Sequence, residues 1–237
     1  MNGSVYGKQI MTTLLVATAC VVSTSGKAQA QSASLPVSAW QERGVYAAVG
    51  TNGLNLGYSQ RFSERWGGRA VLFTGLKTDA KDIKINGNKY DGEIESGPGV
   101  GLFADFYPVR DSGFRVTGGL LIGKNSIEDL KAKPRNGSYV FNGNRYSAAA
   151  VGKTGGEADY NSVAPYLGIG WASPQMGSRW RLMADLGVKY VGEADAKLTA
   201  TGSANNAALR RDLAAESKKF DDKAYGVVAS VGVSMSF

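Results

Sequence analysis

From about residue 44 to the last residue, side chains alternate with period two, a spacing that belongs to β-strands rather than helices. In the final segment Tyr225, Val227, Ala229, Val231, Val233, Met235 and Phe237 fall on one face. Gly226, Ser230, Gly232, Ser234 and Ser236 fall on the other. The segment before it repeats the pattern, with Trp180, Leu182, Ala184, Leu186, Val188 and Tyr190 set against Arg179, Arg181, Asp185, Gly187 and Lys189. Six further segments follow the same rule: Arg43 to Gly50, Leu54 to Phe62, Trp66 to Lys77, Gly99 to Tyr107, Phe114 to Asn125 and Ser162 to Trp171. The expectation is eight antiparallel strands.

Alternation alone does not separate a soluble sandwich from a membrane barrel. Three further features do. The greasy faces carry aromatic residues at their ends, namely Trp66, Phe106, Phe114, Trp171, Trp180, Tyr190 and Phe237, as expected of side chains at headgroup level. Links alternate between short (Ser63 to Arg65, Pro108 to Gly113, Ser173 to Ser178) and long (Thr78 to Ser96, Ser126 to Asn161, Gly192 to Lys223). The chain closes a strand on an aromatic residue, Phe237, a feature of proteins handed to the bacterial outer-membrane assembly machinery. The fold class that follows is all-β: an up-and-down, eight-stranded antiparallel transmembrane β-barrel with both termini periplasmic and long extracellular loops. The first hairpin, Thr51-Asn-Gly53, is a tight turn on the loop side and leaves one rim of the barrel low.

The long loops carry a repeat, Ile85-Asn-Gly-Asn-Lys-Tyr90 and Phe141-Asn-Gly-Asn-Arg-Tyr146, which predicts two ribbons with a hairpin turn at each Asn-Gly. Residues 205–222 lack Gly and Pro, and Leu209, Leu213 and Phe220 share a face, which predicts a short helix capping the mouth. At the other end, a basic start at Lys8, an apolar stretch Ile10 to Val22 and Ala28-Gln-Ala30 read as a cleaved signal peptide. That division gives a leader at 1–30, a periplasmic segment at 31–43 and the barrel at 44–237. The leader carries the single Cys, so the exported chain makes no disulfide.

On the polar faces, Arg61, Arg69, Asp105, Arg115, Arg181 and Asp185 all lie in the half nearest the short turns and are expected to meet inside as a lumen constriction. Two readings of that cluster stand: a structural plug, and a gate or selectivity filter. Tyr46, Phe73, Phe103 and Tyr166 narrow the same bore. Nearer the outer mouth Lys77, Lys124 and Lys189 face Glu95, Glu128 and Glu193, which reads either as a mixed-sign vestibule or as a solvated rim.

Much chemistry is excluded. The chain has no His, which removes Ser-His-Asp and Cys-His catalysis and His-ligated metal sites, and no enzyme activity, metal or cofactor is expected. Gly152-Lys-Thr154 resembles the end of a phosphate loop, but Ser147 stands where its first Gly is required. The basic pI points to lipopolysaccharide phosphates as partners rather than nucleic acid, because an exported chain spreads these charges over loops and lumen.

The chain resembles the CarO-type outer-membrane barrels of Gram-negative bacteria in Asn86-Gly-Asn-Lys-Tyr90, Asn142-Gly-Asn-Arg-Tyr146, Val163-Ala-Pro-Tyr-Leu-Gly-Ile-Gly-Trp171 and Ala184-Asp-Leu-Gly-Val-Lys-Tyr190. The resemblance implies an eight-stranded barrel in the lipid bilayer, tied to uptake of ornithine and other basic amino acids. Two functions follow as expectations: a narrow porin for small polar solutes such as amino acids, and a closed barrel that acts through its surface.

Overall fold

A computed structural model describes residues 42–85, 88–109, 112–174, 179–202, 207–218 and 224–237. The expected leader and most of the expected periplasmic segment lie outside these residues, as does Phe220. Thirteen strands are present among the described residues: β1 (Arg43–Gly50), β2 (Gly53–Arg61), β3 (Trp66–Phe73), β4 (Leu76–Ile85), β5 (Asn88–Phe106), β6 (Phe114–Lys133), β7 (Ser138–Phe141), β8 (Asn144–Ser147), β9 (Thr154–Asp159), β10 (Val163–Ala172), β11 (Trp180–Gly192), β12 (Asp195–Ala200) and β13 (Ala224–Ser236). Two helices, α1 (Ala148–Val151) and α2 (Ala207–Ser217), complete the described chain.

Antiparallel pairing runs β6, β10, β11, β13, β1, β2, β3, β5 and back to β6, so these strands close into a barrel. Closure leaves no sheet edge in the wall, which is the condition for strands to cross hydrocarbon. No described helix is long and apolar enough to cross a membrane. Outward rows such as Leu56, Leu72, Leu102, Leu167, Leu186 and Val231 are exposed around the barrel. An apolar belt of that extent does not persist in water and marks a surface that meets lipid. Ten residues separate Trp180 from Tyr190, about 33 Å along a strand and about 25 Å along the axis at a tilt of roughly 40°, which matches a membrane-spanning apolar band.

The aromatic collar is lopsided. Trp66, Phe106, Phe114, Trp171, Trp180 and Phe237 gather at the short-turn end, where the Trp66 and Phe106 rings lie 5.0 Å apart. Tyr190 joins Tyr225 at the opposite end, with ring centroids 5.2 Å apart.

Strand lengths depart from the sequence reading at β3 and at β5 and β6, the last two expected only over Gly99 to Tyr107 and Phe114 to Asn125. The segment expected from Trp66 to Lys77 breaks after Phe73, because Gly75 adopts φ 83°, and continues as β4 along the distal part of β5. β5 and β6 run well past the barrel rim and pair with each other as far as Lys89 and Lys133. With β4 on one side and β9 and β12 on the other, they form an outer sheet. One face of that sheet buries Tyr90, Leu130, Ala158 and Ala196 in a core with Phe141, Leu209 and Leu213, so hairpin β7–β8 and α2 pack on it. The two repeated motifs do form hairpins, with Ile85 paired to Asn88 and Phe141 to Asn144, but only the first is a long ribbon. α2 rests on β12 and β7, in the outer body.

Candidate functional site

Inward positions on the barrel wall alternate glycine with aromatic and charged side chains. The glycines make the room: a Cβ at Gly57 would overlap the Tyr46 ring, and one at Gly168 would overlap Tyr166. Tyr46, Phe73, Phe103 and Tyr166 do turn inward, and the Phe103 and Tyr166 rings meet edge to face at 5.2 Å.

Below this aromatic layer lies an ion-pair plug drawn from four strands. Arg69 on β3 donates from Nε to Asp105 Oδ2 at 2.6 Å and from Nη2 to Asp105 Oδ1 at 3.1 Å. The same guanidinium donates to both oxygens of Asp185 on β11, at 3.1 and 3.2 Å. Arg115 on β6 donates from Nη2 to Asp185 Oδ1 at 2.7 Å, and the Thr117 hydroxyl donates to Asp105 Oδ1 at 2.6 Å. The four charged side chains are between 1% and 9% exposed, so they fill the bore rather than line it.

Register explains the meeting. Arg115 and Asp185 are both in register with Gly170 on the intervening β10. A Cβ at Gly170 would overlap Asp185 Oδ1 and fall 2.7 Å from Arg115 Nε, so the missing side chain is what lets the pair close over the strand. Gly170→Ala should therefore displace Arg115 from Asp185 and lower the urea midpoint of the refolded barrel by the equivalent of about 1–3 kcal/mol. Full wild-type stability in that variant would show that the pair has slack.

The expected six-residue constriction is reduced to four. Arg61 and Arg181 stand nearer the short turns: Arg61 lies 4.0 Å over the Tyr107 ring and donates to the Glu64 carbonyl, and Arg181 pairs with Glu42 at 2.8 Å. Asp105 and Asp185 already hold Arg69 and Arg115, so the lower guanidiniums take the partners at their own level. Sequence reasoning missed Glu42, Tyr107 and Thr117, although Thr117 shares the inward face of β6 with Arg115.

The expected vestibule is also corrected. Asn125 and Ser96 are in register and both bond Lys189 inside the barrel, so Lys124, next to Asn125, points out of it. Lys77 and Lys124 form an exterior patch with Glu93, Glu95 and Glu128, at distances of 2.6–3.6 Å, just above the apolar belt. There a hydrogen bond from Lys124 is the main reason that Glu128 titrates at about 2. Glu193 is exposed and makes no ion pair among the described residues.

Above the plug a cavity of about 40 Å³ is lined by Asn52, Asn55, Arg69, Asp185 and Ser230 with apolar Val71, Leu121 and Val228. It has room for about three waters. Described residues hold no group of three or more potential metal ligands.

No protein-family model and no curated protein matches the sequence. Solved structures do. Acinetobacter baumannii CarO is 27% identical, with a TM-score of 0.56, over 82% of this chain and 97% of that one. Acinetobacter baumannii CarO2 is 25% identical, with a TM-score of 0.60, over 83% of this chain and 98% of that one. In fold and over most of its length, the chain is a CarO-like β-barrel of the outer-membrane kind.

Proposed function

We propose that this outer-membrane barrel is a gated conduit for small polar solutes, shut at rest by the Arg69, Asp105, Arg115 and Asp185 plug. The observation that carries this reading is the plug itself: four buried charges crossing the bore beneath an aromatic layer. Apolar filling would hold a static barrel closed at equal or lower free-energy cost, because desolvating charges offsets most of their attraction. The plug is also incompletely satisfied, since Arg115 Nε has no hydrogen-bond partner and lies 3.7 Å from Asp105 Oδ1.

Single-channel recording of the refolded full chain in planar bilayers tests the conduit, with folding verified by heat-modifiable gel mobility. Wild type should give rare, small openings, and Arg69→Gln combined with Asp105→Asn should raise open time by at least about tenfold. Silence in both proteins overturns the conduit. A second reading, a permanently closed barrel that works through its outer body, is favoured by the separate apolar core there, and silence would leave that reading.

A further inference from the structure

We propose that Lys189, with Ser96 and Asn125, forms a subsite for a small oxyanion, a carboxylate or phosphate group, at the outer end of the lumen. The inference deepens the conduit reading by naming the charge of the solute, and its binding test does not require conduction.

Partners set Lys189 apart from the other cations of the bore. Arg69, Arg115 and Arg181 each lie within 4 Å of a carboxylate, and Arg61 covers an aromatic face. Lys189 has neutral partners among the described residues: Nζ donates to Asn125 Oδ1 at 2.6 Å and to Ser96 Oγ at 3.3 Å. An ammonium carries three donors, so one remains for an incoming group. Ser96 Oγ accepts from Lys189, which leaves its own proton free to reach the same ligand. Enclosing a cation without a counter-charge costs free energy that a bound anion returns.

The wall fixes this arrangement in place. Asn125 Nδ2 is committed to the carbonyls of Gly123 and Asn161 at 3.2 and 3.1 Å, which holds Oδ1 toward Lys189. Gly226 is in register with Lys189, and a Cβ there would fall 2.9 Å from Lys189 Cε, so the glycine gives the lysine stem its seat. Along the bore the inward charges are Arg61, Arg69, Arg115, Arg181 and Lys189 against Glu42, Asp105 and Asp185, five cations to three carboxylates. A positive column behind a positive entry site favours anions and opposes basic amino acids.

The test is titration of the full chain in micelles with inorganic phosphate and, separately, acetate at constant ionic strength, followed by the NMR signals of Ser96, Asn125 and Lys189. Saturable shifts with either anion support the subsite, and the anion that saturates identifies the group it takes. Lys189→Gln should weaken binding by about tenfold, whereas Lys189→Arg and the exterior Lys124→Gln should leave it near wild type. Absence of saturation with both anions, or equal binding by Lys189→Gln, overturns the subsite. Saturable binding beside a silent bilayer would sink the conduit and keep the site; a conducting barrel indifferent to Lys189→Gln would do the reverse.

Discussion

Asp185→Leu is expected to cost the refolded barrel about 3–5 kcal/mol of stability, read from urea unfolding in lipid vesicles. Asp185 accepts two hydrogen bonds from Arg69 and one from Arg115, so its loss leaves two guanidiniums in the bore with Asp105 as their only carboxylate. The large effect is the cost of uncompensated buried charge, not the net worth of the pairs. Replacing the whole plug at once should behave differently. Arg69→Met, Asp105→Leu, Arg115→Met and Asp185→Leu together should unfold at or above the wild-type urea midpoint, because apolar groups of similar volume remove the desolvation cost along with the attraction. That quadruple variant should also be silent in bilayers if the charges are the gate. A near-neutral Asp185→Leu would mean that water already screens the cluster, and a wet cluster would not close the bore.

How much of this was legible beforehand differs sharply between the wall and what the wall encloses. Strands β1 and β10 alternate along nearly their whole length, and the expected limits of β1, Arg43 to Gly50, coincide with the structure. Alternation also placed Arg69, Asp105, Arg115 and Asp185 on inward faces. Alternation does not say how far each side chain reaches, so Arg61 and Arg181, on the same inward faces, read as members of the same cluster. Reach depends on local partners, Tyr107 and Glu42 here, and one of these lies just before the first strand.

The exterior position of Lys124 is readable in the sequence. Lys124 follows Leu120 and Ile122 at intervals of two and so belongs to the lipid-facing row continued above the membrane, not to the mouth. Lys77 was harder, because the break at Gly75 interrupts the row that carries it. The outer body reads as long loops in the sequence because its core comes from segments distant in the chain. Leu130, Phe141 and Leu209 stand on β6, β7 and α2, far apart in the chain, and meet only in the folded core.

That outer body yields the second large effect: Asp212→Ala should speed tryptic cleavage at Arg145, Arg210 and Arg211 by at least about tenfold while the barrel keeps its heat-modifiable mobility. Asp212 and Glu216 lie one turn apart on α2, on the face that also buries Leu209 and Leu213. Asp212 accepts from the Tyr146 hydroxyl at 2.6 Å, from Asn144 Nδ2 at 2.7 Å and from Asn142 Nδ2 at 3.4 Å. Glu216 Oε2 accepts from the backbone N–H of Asn142 at 3.0 Å. The turn they grip has φ 50° at Asn142 and 84° at Gly143, the left-handed pair that a two-residue Asn-Gly hairpin requires. Removing one carboxylate leaves three donors of the hairpin facing a packed helix. The hydrogen bond from Tyr146 is the main reason that the Asp212 carboxyl titrates below the ordinary carboxylate range. A lowered folded value means that its contribution is complete above about pH 4 and is lost as pH falls through the folded value. Hydrogen exchange of α2 and the β7–β8 hairpin should therefore accelerate in acid for wild type and change less for Asp212→Ala. Unchanged cleavage in the variant would mean that Leu209 and Leu213 hold the helix without the carboxylate. Loosening of the outer body over an intact barrel would establish it as a separately folding unit, as a surface-acting barrel requires.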